Sequence, residues 1–183
     1  MEINNKLIEI YGFSGKAGSG KDYIAKHIYE PRFKNKKIHY IAFADILKQI
    51  CSVQHCLSYS DLYDRKTSTT RYYLQTTADK IKEMYGNTYF IKALEFEIYK
   101  QVHRNNVDVF FVTDVRLDME ADMIKKMKGK LIRIHAPNRA KYNMLIECSY
   151  NQDDYNKKTQ HISETQLDNY TGFDEIFDND NDI

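Results

Sequence analysis

The feature that most constrains the fold of this chain is the octapeptide GKAGSGKD at residues 15–22. It matches the phosphate-binding pattern Gly-x-x-x-x-Gly-Lys-[Ser/Thr] at Gly15, Gly20 and Lys21. The pattern ends in a hydroxyl residue, which Asp22 replaces here. A nucleotide-binding loop with a carboxylate at its last position is therefore the first hypothesis, and the carboxylate needs its own explanation.

The residues on either side of the loop predict the local structure that such a loop requires. The apolar run LIEIYGFS over 7–14 predicts a short strand, and the pattern over 21–30 predicts a helix that Pro31 ends. A strand, a glycine-rich turn and a helix, in that order, place backbone N–H groups around an anion.

The rest of the chain alternates between predicted strands and helices. We predict strands at 38–43, 107–113, 130–134 and 173–177, and helices at about 44–55, 68–86, 88–104 and 117–128. This alternation predicts an α/β fold, a three-layer doubly wound parallel sheet with ligands at the carboxyl ends of its strands. The length of 183 residues suits one domain over 1–183, with a polar tail at 178–183.

Composition excludes several classes of protein. The formal net charge of +1 gives no general attraction to nucleic acid, and no apolar run reaches the roughly 18 residues of a membrane span. Three cysteines without a C-x-x-C pair argue against a disulfide framework or a zinc knuckle. The first residues lack the pattern of a signal peptide. We expect a cytoplasmic protein that binds neither nucleic acid nor membranes.

Each residue type in the loop suits phosphate. Glycines let the backbone wrap closely around phosphate oxygens, and the loop lysine adds a mobile positive charge. Asp22 has three explanations: a ligand of magnesium, a carboxylate that faces the second substrate, or a charge that suits the helix dipole. The residues expected to hold the donor nucleotide are Gly15, Lys16, Gly18, Ser19, Gly20, Lys21 and Asp22.

Further candidates follow the other strands. Asp114 closes the strand at 107–113, where an acidic residue can hold magnesium or its waters, and Arg116 follows it. Asp118 and its acidic neighbours have a simpler explanation as a solvated helix start.

Two helical pairs carry polar groups one turn apart. Asp45 and Lys48 share a helical face, as do Arg71 and Gln75. An arginine fork binds phosphate and a glutamine amide can pair with a base edge, although a plain amphipathic helix shows the same spacing.

These motifs together resemble the bacteriophage-type deoxynucleoside monophosphate kinases, a branch of the P-loop kinases. The resemblance covers nearly the whole chain and rests on the Gly-Lys-Asp loop, the Arg-x-x-Leu-Gln helix at 71–75, the acidic string at 114–122 and His-Ile-Ser-Glu at 161–164. It implies a fold of the P-loop nucleoside triphosphate hydrolase or nucleoside monophosphate kinase type. In that family an aspartate after the loop lysine is normal.

Animal-type phosphomevalonate kinases are similar too. They share the Gly-Lys-Asp loop and a carboxyl-terminal series like HISETQLDNYTGFDEIFDN. The Leu-Gln pair and the acidic string favour the nucleotide kinase. Tyr23 favours the other family, because the phage enzymes commonly have threonine there.

The resemblance also implies roles near the carboxyl end. It makes Glu164 a substrate-site residue and about 135–165 a lid with a substrate loop. Ser163, however, has the spacing of a helix capping box with Gln166. Of the arginines that flank the lid region, Arg139 is better placed than Arg133 to reach the transferring phosphate.

We therefore expect transfer of the ATP γ-phosphate to a deoxynucleoside monophosphate, with Mg²⁺ held by Asp22 or Asp114. The catalytic residues expected are Lys21, Asp22, Arg116 and Arg139, and those expected to bind the acceptor are Asp45, Lys48, Arg71, Gln75, Asp114, Arg116 and Glu164. Alternatives are a phosphomevalonate kinase and a nucleotide-binding regulatory module. The partners are small nucleotides, and a homodimer stays open.

Overall fold

The structure, a computed structural model, describes residues 2–3, 6–64 and 67–180. The strands are β1 Glu2–Ile3, β2 Lys6–Leu7, β3 Glu9–Ser14, β4 Ile38–Ile41, β5 Val109–Val115, β6 Lys130–His135 and β7 Glu175–Asp178. The α-helices are α1 Lys21–Ile24, α2 Phe43–His55, α3 Tyr59–Tyr63, α4 Ser68–Tyr85, α5 Tyr89–Asn105, α6 Asp118–Lys126, α7 Pro137–Glu147, α8 Gln152–Thr159 and α9 Ile162–Thr165. A π-helical turn at Ala25–Tyr29 and 3₁₀ turns at Glu30–Arg32 and Gln166–Asn169 complete the secondary structure.

Five strands form one sheet in the order β4-β5-β3-β6-β7, and every neighbouring pair is parallel. The strand before the glycine-rich loop, β3, is central, and its Gly12 lies opposite Val112 of β5 and Leu131 of β6. The predicted α/β parallel sheet is confirmed. Because the strands are parallel, the loop after β3 and the turn after β5 leave the same edge of the sheet.

Several predicted boundaries were wrong. The strand at 38–43 ends at Ile41, and Phe43 instead begins α2 with its ring buried. The strand at 107–113 is Val109–Val115, so Asp114 lies within it. The helix at 21–30 is divided into α1, a π-helical turn and a 3₁₀ turn. Elements over 137–169 were not predicted, because their polar sequence gives little periodicity.

Aromatic residues fill one side of the sheet. The Phe13 ring contacts the rings of Tyr29 and Phe111 edge-on, with centroids 5.1 and 5.3 Å away. Side chains alternate along β3, so Tyr11 and Phe13 share this face while Gly12 points to the other. A Cβ on Gly12 would lie 3.1 Å from Ile124, which shows how closely α6 covers that second face. Burial on both faces explains the apolar runs in the sequence.

The chain divides into two compact units. One consists of the segments up to Ile41 and from Gln101 onward, and it contains the sheet. The other unit is Ala42–Lys100, the stretch of sequence between β4 and β5, and it contains α2, α3 and α4. Within this second unit, His55 of α2 stacks on Tyr73 of α4 with ring centroids 4.2 Å apart.

Candidate active site

The glycine-rich loop between β3 and α1 has the backbone that a phosphate cradle requires. Its glycines, Gly15, Gly18 and Gly20, have φ values of 154°, 77° and 87°. A Cβ on Gly15 would lie 2.8 Å from the carbonyl oxygen of Ile134, and residues with a side chain rarely adopt these dihedrals. The loop therefore depends on glycine for both conformation and space.

Lys21, the first residue of α1, is buried and turns back over the loop. Its Nζ donates to the carbonyl oxygens of Gly15 and Lys16, both at 2.9 Å. Burial, together with the positive charge of Arg116, lowers the pKa of Lys21 from 10.5 to about 8. The carboxylates of Glu164, Asp22 and Asp114 oppose this shift. The carboxylates near the Lys21 ammonium group therefore do not fully balance its positive charge, and an anion bound in the loop would do so.

Two asparagines from distant segments hold the outer side of the loop. The side-chain amides of Asn143 and Asn179 donate to the carbonyl oxygens of Gly18 and Ser19, at 2.8 and 2.9 Å. The Ser19 hydroxyl is buried and has no hydrogen-bond partner among the described residues. An orphaned buried hydroxyl is costly unless a ligand satisfies it. The loop thus fits a polyphosphate.

The turn after β5 brings Arg116 to this loop. Glu120 shapes the turn, because its Oε2 accepts from the backbone N–H groups of Arg116 and Leu117 at 2.7 and 3.0 Å. Burial, together with the negative charge of Asp114, raises the pKa of Glu120 from 4.5 to about 7. Asp118 lies at the start of α6 and its Oδ2 accepts from Gln166 at 3.3 Å.

Glu164 of α9 lies against the glycine-rich loop, and only 8% of its side chain is exposed. Its Oε2 accepts from the N–H of Ala17 at 2.8 Å, and its Oε1 pairs with the Arg116 guanidinium. Lys16 donates to the carbonyl oxygen of Glu164 and to Asp168, the latter at 2.6 Å. Carboxylates from the chain itself therefore contact the loop.

Three further candidates of the carboxyl-terminal half, His161, Arg133 and Arg139, form hydrogen bonds within the protein. His161, not Ser163, caps α9, since His161 Nδ1 accepts from the Ser163 N–H at 3.3 Å; the predicted serine cap was wrong. Arg133 donates to Ser14 at 3.1 Å and to Asp168 at 3.0 Å. The Arg139 Nε donates to the Asn179 carbonyl at 2.9 Å. The lid role of Arg139 stays a prediction.

Asp22 and Asp114 are the carboxylates that could hold a metal ion. Both lie near enough to Lys21 to influence its pKa. The described residues contain no group of three His, Cys, Asp or Glu side chains that could enclose a metal. Mg²⁺ usually takes one or two carboxylates and completes its shell with phosphates and water. That Asp22 or Asp114 holds a magnesium ion stays a prediction.

A pocket of about 210 Å³ opens beside the loop. Its walls come from the loop, α7, α8 and α9, and are Lys16, Ala17, Pro137, Ala140, Lys141, Met144, Tyr155, Thr159 and Glu164. Aliphatic and aromatic surface next to a phosphate cradle suits the base of a nucleotide.

Four of the seven predicted acceptor residues, Asp45, Lys48, Arg71 and Gln75, lie in the Ala42–Lys100 unit. The other three, Asp114, Arg116 and Glu164, lie in the unit that contains the sheet. Asp45 accepts from the Tyr63 hydroxyl at 3.0 Å and pairs with Lys48 at 3.1 Å, and the Lys48 ammonium lies 3.8 Å from the Tyr63 ring centroid. Arg71 and Gln75 are both exposed on α4, one turn apart. The helical pairing of Asp45 with Lys48 is thus present.

Sequence reasoning missed four residues that shape the site: Asn143, Asn179, Glu120 and Asp168. Three of them contact the loop or its neighbours across more than a hundred residues of chain. Glu120 could have been found, since it lies three positions after Leu117, the residue before α6, and an acidic residue at that position is a capping signal.

Comparison with known proteins identifies the family to which this chain belongs. The phosphomevalonate kinase family model matches residues 13–130, from β3 to the start of β6 and well over half of the chain. No curated protein sequence matches the chain. The bacteriophage-type resemblance stays a prediction.

Two solved structures resemble the chain in outline. The protein TT1252 from Thermus thermophilus is 16% identical, with a TM-score of 0.47, over 95% of this chain and 90% of that one. A gluconokinase from Sinorhizobium meliloti 1021 is 12% identical, with a TM-score of 0.41, over 94% of this chain and 82% of that one. By the family match over residues 13–130, the chain belongs to the phosphomevalonate kinase family and is a kinase, a phosphotransferase.

Proposed function

We propose that this chain transfers the γ-phosphate of ATP to a deoxynucleoside 5′-monophosphate and so forms a diphosphate. The observation that carries the proposal is the glycine-rich loop with Lys21 buried against it and Arg116 beside it. Phosphoryl transfer needs charge neutralisation and alignment more than covalent help, so these groups suffice when magnesium is bound.

The donor site is assigned to the loop and the pocket beside it. Backbone N–H groups and Lys21 would hold the β and γ phosphates, while Met144 and Tyr155 offer an apolar surface to the base. Asp22 and Asp114 would hold the magnesium ion, which neutralises charge on the transferred group. Arg116 would stabilise the negative charge that develops on the transferred group.

The acceptor is assigned to the Ala42–Lys100 unit. Helix α4 presents a guanidinium at Arg71, an amide at Gln75 and the exposed ring of Tyr72. A nucleoside monophosphate offers a phosphate, base edges and a flat face, and each of these groups can bind one of them. The Asp45–Lys48 pair adds a further polar contact for the acceptor.

Phosphomevalonate is the second candidate acceptor. The family match over residues 13–130 favours it. Phosphomevalonate carries anionic groups at both ends of an aliphatic chain, so it would use Arg71 and Lys48 and leave the Gln75 amide without a base to read.

A coupled assay of ADP release tests the proposal. Wild-type protein with ATP and Mg²⁺ should release ADP rapidly only when a deoxynucleoside monophosphate is added, and ribonucleoside monophosphates and phosphomevalonate serve as parallel arms. Turnover with phosphomevalonate alone would establish the second candidate. ATP binding with slow hydrolysis that no acceptor accelerates would instead indicate a regulatory module.

A further inference from the structure

The Glu164 carboxylate makes the contacts that the loop would give to a phosphate. One oxygen accepts from the Ala17 N–H at 2.8 Å, and the other pairs with Arg116. Backbone N–H groups of a glycine-rich loop and an arginine fork are phosphate ligands. The side chain of Glu164 is only 8% exposed, so its carboxylate is largely removed from water at this position.

Electrostatics support the same interpretation. Among the carboxylates that favour the charged form of Lys21, Glu164 has the largest effect, ahead of Asp22 and Asp114. A nucleotide phosphate would supply this compensation. Without one, the protein supplies part of it from its own chain.

The segment that carries Glu164 is held to the glycine-rich loop by Lys16, a residue of that loop. Lys16 donates to the Glu164 carbonyl oxygen and, at 2.6 Å, to Asp168, which also accepts from Arg133 at 3.0 Å. Leu167 is buried and anchors the following 3₁₀ turn. Residues 162–169 therefore form a short, defined element that is held against the glycine-rich loop.

We propose that Glu164 is an internal competitor for the phosphate site. The donor phosphate displaces the carboxylate from the Ala17 N–H and from Arg116, and residues 162–169 move away from the loop. Arg116 is thereby transferred from Glu164 to the nucleotide. The inference rests on the proposed function, because it requires that the loop binds a donor phosphate.

Competition of this kind weakens nucleotide binding in the wild type. The apparent affinity is reduced by the fraction of molecules in which the site is already open. Coupling between two such events typically changes affinity by about 5- to 150-fold. We expect about a tenfold effect for a single carboxylate whose removal leaves the loop intact.

The test is calorimetric titration with ATP, and with inorganic tripolyphosphate as a probe without a base, of wild type, Glu164→Gln and Glu164→Ala. Glu147→Gln is the matched control, because its carboxylate pairs at 3.0 Å with Lys158 of α8. Both Glu164 variants should bind each ligand about tenfold more tightly, while the control binds as the wild type does. Equal or weaker binding by both would overturn the inference.

A second measurement needs no variant. Hydrogen exchange of the amides at 162–169 in the wild type should become faster when ATP saturates the protein, because the segment leaves the loop. Unchanged or slower exchange would count against displacement. If neither the wild type nor any variant binds ATP, the proposed function itself fails, which is a different result from ATP binding that is indifferent to Glu164.

Discussion

The glycine-rich loop and the Ala42–Lys100 unit use different means to present polar groups. The loop is built from backbone, with three glycines at positive φ and a buried lysine that bonds to loop carbonyls. Helix α4 instead presents Arg71 and Gln75 as exposed side chains on regular backbone. A site made of backbone tolerates few changes, whereas side chains on a helix can be exchanged singly. We therefore expect the loop to set the reaction and the helix to set the choice of acceptor.

The largest expected effect is on turnover when the loop lysine is removed. Lys21→Met should lower kcat by at least about a hundredfold, because a positive charge that stabilises the transferred phosphoryl group is lost. Stability should not fall. The pKa of Lys21 is about 8 in the folded protein and 10.5 in the unfolded chain, so the unfolded chain holds the proton more tightly. The charged lysine therefore lowers the free energy of unfolding at any pH below 8. Steady-state kinetics and thermal melts near neutral pH measure both quantities.

Arg116→Ala tests whether the arginine in the turn after β5 also contributes to turnover. Turnover should again fall by at least about a hundredfold while the protein stays folded. Near-normal kcat in this variant would remove Arg116 from the mechanism. Arg133→Ala is the comparison, since Arg133 bonds to Ser14 and Asp168 rather than to Glu164.

The next effect concerns pH and Glu120. Its pKa of about 7 in the folded protein lies above the 4.5 expected when unfolded, so the unfolded state ionises first as pH rises. The contribution of Glu120 to the free energy of unfolding is therefore complete below pH 4.5. It is lost as the pH rises to about 7, and the loss amounts to at most about 3 kcal/mol.

Urea unfolding of wild type and Glu120→Gln at about pH 5 and about pH 8 measures this loss. Glutamine can still accept from both backbone N–H groups but cannot ionise, so its stability should change less between the two pH values. An identical pH dependence in the two proteins would contradict the assignment.

A smaller effect is expected from the acceptor helix. Arg71→Ala should raise the KM for the monophosphate by at least about tenfold and change kcat less, because it removes a charge-assisted contact that binds the acceptor. Lys80→Ala, a change at an exposed residue of the same helix, should leave both constants unchanged. If Arg71→Ala lowers kcat as strongly as Arg116→Ala does, the proposed division between the two regions is wrong.

The smallest effect is expected from the asparagines that support the loop. Asn179→Ala removes the donor to the Ser19 carbonyl oxygen and should destabilise the protein by about 1 kcal/mol. ATP affinity should fall by about fivefold as the loop loosens, by the same hydrogen-bond energy. Chemical denaturation and calorimetry give the two values, and unchanged affinity would show that the loop holds its shape without this support.

Local patterns made the centre of the fold predictable. The apolar run before Gly15 and the glycines after it specify β3 and the loop through short-range sterics, and α4 ends at Tyr85, just before Gly86 and close to the predicted boundary at about 86. Helices α7, α8 and α9 were missed, because polar helices near a site carry little periodicity.

The contacts of the site were harder to predict than its residues. Glu164 was selected through a family resemblance, yet nothing in the sequence indicated that its carboxylate lies on the Ala17 N–H, which is 147 residues earlier in the chain. Asn143 and Asn179 support the loop from similar distances. Such contacts depend on the tertiary fold, to which a single sequence gives no direct access.

The most direct measurement is ³¹P nuclear magnetic resonance of a mixture of wild-type protein, ATP, Mg²⁺ and a deoxynucleoside monophosphate. We expect the γ-phosphate signal of ATP to disappear while the signals of ADP and a deoxynucleoside diphosphate grow together, and Lys21→Met to leave the spectrum unchanged over the same time. Stable ATP, or free phosphate released at a rate independent of the acceptor, would contradict the account.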